Sequence, residues 1–361
     1  MTPYWDCAVA GGGPAGAAAA LVLARAGRSV LLFDDSAAGA DKPGESLPGA
    51  ARPLLRDLGV LAGVERGPHL VSYGNVSSWG GEPRPTDFIA DPNGPGWHLD
   101  RRRFDRELRE CAAATGAALR SERLAAPAWD GDAWRLAAGG TEVRARWLID
   151  ATGRRALAAA RRWATRTRDD TLVALYGIAA THPGTPDTRT WIESVPDGWW
   201  YTARLWDGRR AVALHVDAEQ AKPLLRSPAA WDARLSETTH VRCVLGERTL
   251  STPPRGLQAS GGRLDAFRGP GWLAVGDAAL TFDPLASQGI FFALYSGMRA
   301  GEAVGAALDG DGEAPLAYAA RIESIRAAYL DQHRHFYGLE RRWTDRSFWQ
   351  RRQGPGDGAA V

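Results

Sequence analysis

Lysine is nearly missing from this 361-residue chain: Lys42 and Lys222 are the only two, and arginine carries almost all the positive charge. Together with the many alanines and glycines, that skew reflects a GC-rich bacterial genome rather than a function. Cysteine is scarce as well. Cys7, Cys111 and Cys243 stand too far apart for a disulfide framework or for zinc-ligand spacing, which fits a reducing compartment and predicts no metal. Apolar runs stop short of the roughly 18 residues that span a bilayer, because Arg25 and Arg28 interrupt the richest one. A net charge of +2 provides no basic field for nucleic acid. The chain enters a strand by Trp5, leaving no room for a secretion leader. The expectation is a cytoplasmic protein without a transmembrane segment or a nucleic-acid partner. Tryptophan is the residue in excess, 15 against 9 phenylalanines. These side chains are either ordinary core or the lining of an aromatic pocket, and composition does not separate the two.

The first 35 residues read as one βαβ unit. A short apolar run, Cys7 to Ala10, meets Gly11-Gly12-Gly13-Pro14-Ala15-Gly16, an Ala-rich helix runs to Ala26, and Ser29 to Phe33 forms a second buried strand ending at Asp34. Each glycine has a separate task in dinucleotide binding: Gly11 permits the sharp exit from the strand, Gly13 lets the backbone approach a diphosphate, and Gly16 lets helix and strand pack closely. Pro14 and Ala15 open the helix, whose free N–H groups and positive dipole end face the phosphates. Asp34 sits where a carboxylate accepts both ribose hydroxyls. A glycine turn serves NAD and FAD alike; a late segment separates them. Trp272 to Val275 is a buried strand, and Asp277 follows its terminal Gly276 directly. A carboxylate there reaches ribityl hydroxyls, which only a flavin possesses, so FAD is the expected cofactor. Pro284 and Gly289 then lead into another helix N-terminus, suited to the negative charge of a reduced flavin.

Between these motifs, Ala50 to Leu61 reads as a helix, Pro83 to Gly96 as a loop, and Arg102 to Thr115 as an amphipathic helix. Strands of alternating polarity follow at Thr190 to Ser194, Trp199 to Leu205 and Ala211 to Val216, with turns at Pro196-Asp197-Gly198 and Asp207-Gly208. The tail from Pro315 to Arg352 reads as helical, and Gly354 to Val361 as frayed.

The motifs GGGPAG (Gly11 to Gly16), KPGESLP (Lys42 to Pro48), WHLDRRRFD (Trp97 to Asp105), LIDATGR (Leu148 to Arg154) and GDAALTFDPLASQG (Gly276 to Gly289) resemble the FAD-dependent monooxygenase and flavin-halogenase superfamily of the glutathione-reductase-like fold. SYGNVSSWGG, DGWWYTARL and YGLERRWTDRSFWQRR narrow the likeness to the maturation flavoproteins of tryptophan-derived quinone cofactors. The resemblance implies an α/β chain: a Rossmann-like FAD domain in three segments, an inserted antiparallel substrate sheet and a C-terminal helix. The expected division is FAD-binding residues 1–160 and 265–310, a substrate sheet over 161–264, and a helical segment over 311–361. It also places Glu45 and Ser46 beside the isoalloxazine and Arg101 on FAD phosphate or ribityl oxygens. The implied activity is hydroxylation of an aromatic ring through a flavin hydroperoxide. The substrate would be an indole-like small molecule or a Trp-containing partner protein.

Two departures bear on mechanism. Ala151 stands where NAD(P)H-using relatives carry glycine, which points to a separate flavin reductase as electron source. Halogenases of the superfamily need a lysine about two dozen residues beyond the Gly-Glu loop, and here that region holds Val71, Ser72 and Tyr73. A halogenase-like or isoprenoid-reductase-like oxidoreductase and a non-catalytic flavin-binding maturation factor remain as alternatives. Trp199, Trp200 and Tyr201 are the candidate substrate wall. Strand alternation turns Trp199 and Tyr201 one way and Trp200 the other, so at most one set faces a substrate. His98 and His215 are bases by residue type, with a satisfied structural role as the ordinary alternative.

Overall fold

The computed structural model describes residues 4–35, 42–138, 140–156, 163–180, 187–246 and 250–354. At its centre the strand Tyr4–Ala10 pairs in parallel with Val30–Phe33 on one side and Thr141–Asp150 on the other. Ala118–Arg120 and Trp272–Ala274 extend the parallel sheet at the two ends. Strands covered on both faces read as continuous apolar runs, and Val30 to Phe33 are all buried. The chain reverses direction of sheet growth between Tyr4–Ala10 and Thr141–Asp150, the position where open α/β sheets bind ligands. The Gly-rich turn sits there.

Two helices cover one face of this sheet at close quarters. A Cβ added to Gly297, on the helix Gly289–Leu308, would lie 2.1 Å from the Ala15 carbonyl oxygen, and one on Gly301 would lie 3.0 Å from that of Ala19. The bare glycines and the alanines of Pro14–Arg25 let the two backbones nearly touch. That contact joins the first βαβ unit to the last segment of the FAD-binding part.

The second sheet has seven strands in the order Arg255–Gln258, Leu172–Ala179, Arg210–Asp217, Gly198–Arg204, Thr190–Val195, Gly74–Ser78, Arg84–Asp87. All joins are antiparallel except that between Thr190–Val195 and Gly74–Ser78. Residues 74–87 therefore belong to this sheet, although they lie well upstream of 161–264. The strand Arg84–Asp87 also corrects the loop expected over Pro83 to Gly96. Its four residues are all exposed and include Pro85, so neither apolar alternation nor composition betrays it; proline is tolerated because the strand is an edge. Along the sheet one face buries Leu175, Trp200, Val212 and Leu214 against the helices over residues 218–245. The other face turns Ala174, Tyr176, Tyr201, Ala213 and His215 toward the FAD-binding part.

The helix expected over Ala50 to Leu61 is a short 3₁₀ turn followed by Arg52–Asp57 and Leu61–Arg66. Gly59 breaks it with a φ of +70°. The tail is helical over Ala314–Gly338 and Ser347–Gln353. It is pinned to the second sheet by Arg352, whose buried guanidinium meets Asp170 at 2.5 Å and Asp217 at 2.8 Å. Apart from Gly354, the frayed end expected beyond it lies outside the described residues. Among those residues no helix is long and apolar enough to cross a membrane.

Candidate active site

A cavity of about 570 Å³ lies where the Gly-rich turn, the Gly44–Ser46 loop, the turn after Asp150, the segment 275–293 and the inner face of the second sheet converge. Of the residues singled out in the sequence, Gly13, Pro14, Ala15, Glu45, Ser46, Arg101, Tyr201, Asp277, Pro284 and Gly289 line it. Gly11, Gly16 and Gly276 stand behind the wall. A Cβ on Gly11 would meet the Ala151 carbonyl at 2.4 Å, one on Gly16 the Gly11 carbonyl at 1.9 Å, and one on Gly276 the Ala15 side chain at 2.9 Å. Gly13 and Gly289 have nothing within 4 Å of an added Cβ. These two glycines therefore leave room at two helix N-termini, where an anion or a dipole-sensitive ring is best received.

The polar groups around this cradle suit a flavin dinucleotide. Asp277 is partly exposed at the cavity, with Arg154 3.5 Å from its carboxylate. Arg166 holds the turn from behind, donating to the carbonyl oxygens of Asp277 and Ala278 at 2.7 Å. Arg101 donates to the Gly44 carbonyl at 2.7 Å and to Asp105 at 3.1 Å, and Lys42 reaches the same carboxylate at 3.0 Å. Burial opposes the Asp105 charge, yet the two cations beside it win and hold its carboxyl below the ordinary carboxylate range. Asp34 lies outside the cavity wall, packed against Gly12 and joined to Arg109 at 3.0 Å. Two open helix N-termini, the Asp277 carboxylate and the Asp34 carboxylate thus follow one another along the surface, donors and acceptors of the kinds a flavin dinucleotide requires. The residues fit FAD.

The opposite wall comes from the second sheet. Tyr201 donates its hydroxyl to Glu45 Oε1 at 2.5 Å, tying the Gly44–Ser46 loop to the strand Gly198–Arg204. Burial raises the Glu45 carboxyl above its usual range, and burial together with the Glu45 charge raises the Tyr201 phenol much further, so the shared proton stays on tyrosine. Tyr176, Ala174 and Ala213 complete the face, with His215 beside them. Trp199 stacks on His215 with ring centroids 3.6 Å apart and 8° between planes. Its indole nitrogen donates to the Tyr337 hydroxyl at 3.0 Å, and that hydroxyl donates to Asp283 Oδ2 at 2.8 Å. Trp199 therefore backs the wall without forming it. Trp200 is excluded from it: the pleat turns this residue to the far face, where it packs edge-on to Trp231 with centroids 4.9 Å apart.

Arg109, Arg154, Tyr176 and Asp283 escaped the sequence reading. Arg154 and Asp283 lie within motifs already quoted, next to residues that were chosen. Tyr176 lies on a strand the pattern located only as part of a longer region, and Arg109 is one charge among many on an amphipathic helix.

Fold and site together define an FAD-dependent oxidoreductase. The tryptophan halogenase family model matches residues 82–357, and the chain belongs to that family. Over 362 aligned residues it is 30% identical to the FAD-dependent oxidoreductase LodB of Marinomonas mediterranea, covering 96% of each protein. It is 30% identical to the menaquinone reductase of Mycobacterium tuberculosis over 82% of this chain and 76% of that one. Among solved structures it superposes on the myxobacterial chondrochloren halogenase CndH with a TM-score of 0.90, at 25% identity over 98% of this chain and 87% of that one. QhpG, a peptidyl tryptophan dihydroxylase essential for tryptophylquinone cofactor biogenesis, superposes with a TM-score of 0.79, at 26% identity over 99% of this chain and 80% of that one. The chain is thus a flavin-dependent, halogenase-like oxidoreductase with FAD as its cofactor.

Proposed function

We propose that this protein hydroxylates an electron-rich aromatic ring, an indole in the first place, including the side chain of a tryptophan in a partner protein. One observation carries the reading. The cavity wall facing the cofactor cradle is aromatic and apolar, built by Tyr176, Tyr201, Ala174 and Ala213, and no lysine reaches it. Lys42 points its ammonium at Asp105 instead, and Lys222 belongs to the helix Ala218–Arg226 on the far face of the sheet. Halide chemistry of the halogenase kind needs a lysine to handle hypohalous acid. The similarity to QhpG supports tryptophan as the acceptor.

Reduced FAD supplies the activation of dioxygen, one oxygen atom entering the ring and the other leaving as water. The chain's own residues do the rest. Ala174 and Ala213 leave space for a flat ring over the sheet, and Tyr176 and Tyr201 limit its tilt. The bond from Tyr201 to Glu45 keeps the loop beside the cradle closed against water. Electrons come from a separate flavin reductase, consistent with Ala151 in place of the glycine that NAD(P)H-using relatives carry.

The purified protein, incubated with a flavin reductase, NADH, FAD, chloride, bromide and an indole or a Trp-containing peptide, is expected to yield products heavier by one oxygen. A halogenated product in its place, or hydrogen peroxide with unchanged substrate, refutes the proposal. Turnover under anaerobic conditions assigns a reductase activity, the reading that menaquinone reductase favours.

A further inference from the structure

The seven-stranded sheet ends beside the cavity on an open edge. Its last strand, Arg255–Gln258, pairs on one side with Leu172–Ala179, and no described strand lies on the other. The register sets Arg255 opposite Tyr176 and Leu257 opposite Ala174, so these two positions carry the cavity face outward. Leu257 and Gln258 are themselves part of the cavity lining, and Arg255, Gly256 and Gln258 are exposed. The rim of the cavity is thus a strand with one side unoccupied.

Hydrogen bonding shows which of its backbone groups are free. Ala259 N–H donates to the Leu172 carbonyl at 2.9 Å, whereas the Thr171 carbonyl accepts from Ala218 on the opposite side of that strand, at 3.0 Å. Backbone groups alternate along an antiparallel ladder, so Arg255, Leu257 and Ala259 point at the neighbouring strand while Gly256 and Gln258 point outward. Each of these two offers one N–H donor and one carbonyl acceptor. Neither N–H has a partner among the described residues.

An extended polypeptide is the ligand that satisfies such an edge, by adding a strand to the sheet. Side chains of the added strand alternate between its two faces, so every second one would continue the row from Ala174 through Leu257 over the cavity. Arg255 adds a charge preference, because it is exposed and makes no ion pair among the described residues. An acidic side chain facing it is favoured over a neutral or basic one. The far end of the sheet is no rival: Arg84–Asp87 contains Pro85, which has no N–H to offer, and none of its residues lines the cavity.

We infer that Arg255–Gln258 docks an extended segment of a partner protein by strand addition, with a tryptophan of that segment opposite Leu257 and an acidic residue two positions away opposite Arg255. The inference rests on the aromatic-substrate reading above and gives its partner-protein form a docking surface.

The test is fluorescence anisotropy on the full-length, oxidised, FAD-loaded protein. The probe is a tagged peptide of about eight residues, alternating threonine and valine, with one Trp and an Asp two places from it. Binding is expected to weaken about fivefold to tenfold in Gly256→Pro, which removes one outward N–H. The position tolerates the change: it is an edge, its φ is not positive, and an added Cβ first meets the end of the Leu225 side chain, at 3.0 Å. A peptide N-methylated at the residues on either side of its Trp should lose at least as much, because those amides face Gly256 and Gln258. Exchanging the peptide Asp for Lys should weaken binding to the wild type and restore it to Arg255→Glu. No binding by the wild type, equal binding by Gly256→Pro, or indifference to N-methylation overturns the inference. A wild-type dimer that Gly256→Pro separates on sedimentation does so too, since it gives the edge to a second copy. If Gly256→Pro does not fold, the N-methylated peptide and the charge exchange decide. Oxygenation of free N-acetyltryptophanamide without peptide binding leaves the proposed reaction standing and removes the docking site; peptide binding in the expected pattern without oxygenated product does the reverse.

Discussion

Replacing Gly13 with alanine adds a methyl group where the folded chain has nothing within 4 Å. The residue caps the helix Pro14–Arg25 with φ −70° and ψ −177°, an ordinary extended conformation that alanine adopts freely. The entropy lost by the unfolded chain stabilises the variant by about 0.4–1 kcal/mol. The weaker cap offsets a similar amount. The stability of the FAD-free protein is expected to stay within about 1 kcal/mol of wild type. The methyl group nevertheless occupies the space through which the diphosphate approaches, and FAD affinity should fall at least about tenfold, or roughly 1.4 kcal/mol. Gly16→Ala reverses the pattern. Its Cβ would sit 1.9 Å from the Gly11 carbonyl oxygen and 2.9 Å from the Ala151 side chain, both fixed in the core. Backbone must move, at about 3 kcal/mol or more, whether or not cofactor is present. Urea unfolding of the FAD-stripped proteins and fluorescence titration with FAD read the two effects separately. Wild-type FAD affinity in Gly13→Ala would refute the cradle assignment, and wild-type stability in Gly16→Ala would refute the packing argument.

Other perturbations test the remaining parts. His98 and His215 have pKa values near 4 against about 6.5 when unfolded, so the unfolded chain takes up protons first and stability falls as pH drops from 6.5 toward 4. At pH 5 each costs about 2 kcal/mol; urea midpoints at pH 7 and pH 5 should show a smaller drop once His98 is replaced by Gln, and an unchanged drop contradicts the burial argument. Tyr201→Phe removes the donor to the buried Glu45 and is expected to cost about 1.5–3 kcal/mol. Because the folded-state pKa of Glu45 is already raised and rises further, that loss should be larger at pH 8, where the carboxylate must stay charged, than at pH 5. A penalty independent of pH would show that the phenol does not support the charge. Arg352→Ala strands the largely buried Asp170 without its cation and leaves Asp217 to Arg351 alone, and chemical denaturation should report a loss of about 3–5 kcal/mol. A loss below about 1 kcal/mol would mean that the C-terminal helix is not held by this pair.

Local chemistry made the cofactor half of the molecule readable. A glycine turn between a buried strand and an Ala-rich helix, and an acid directly after a strand-ending glycine, are requirements on consecutive residues, visible without knowing where the chain goes next. The alternation of Trp199, Trp200 and Tyr201 likewise showed that they divide between two faces. What alternation leaves open is which face meets the cavity, because both are buried: Trp200 lies in one core and Trp199 behind another wall. The second sheet was harder still, since its last strands come from residues 74–87 and the exposed Arg84–Asp87 has no apolar pattern to reveal it.

By itself, then, the amino-acid order determined the nucleotide turn, the late Gly-Asp turn and the choice of a flavin, because each depends on neighbours in the chain. Only the tertiary structure decided that Tyr201 reaches Glu45, that Arg109 joins Asp34, and that His215 rather than His98 borders the cavity. Those relations span from 75 to 156 positions or depend on which face of a sheet is covered. Long-range packing sets them, and no local pattern encodes it.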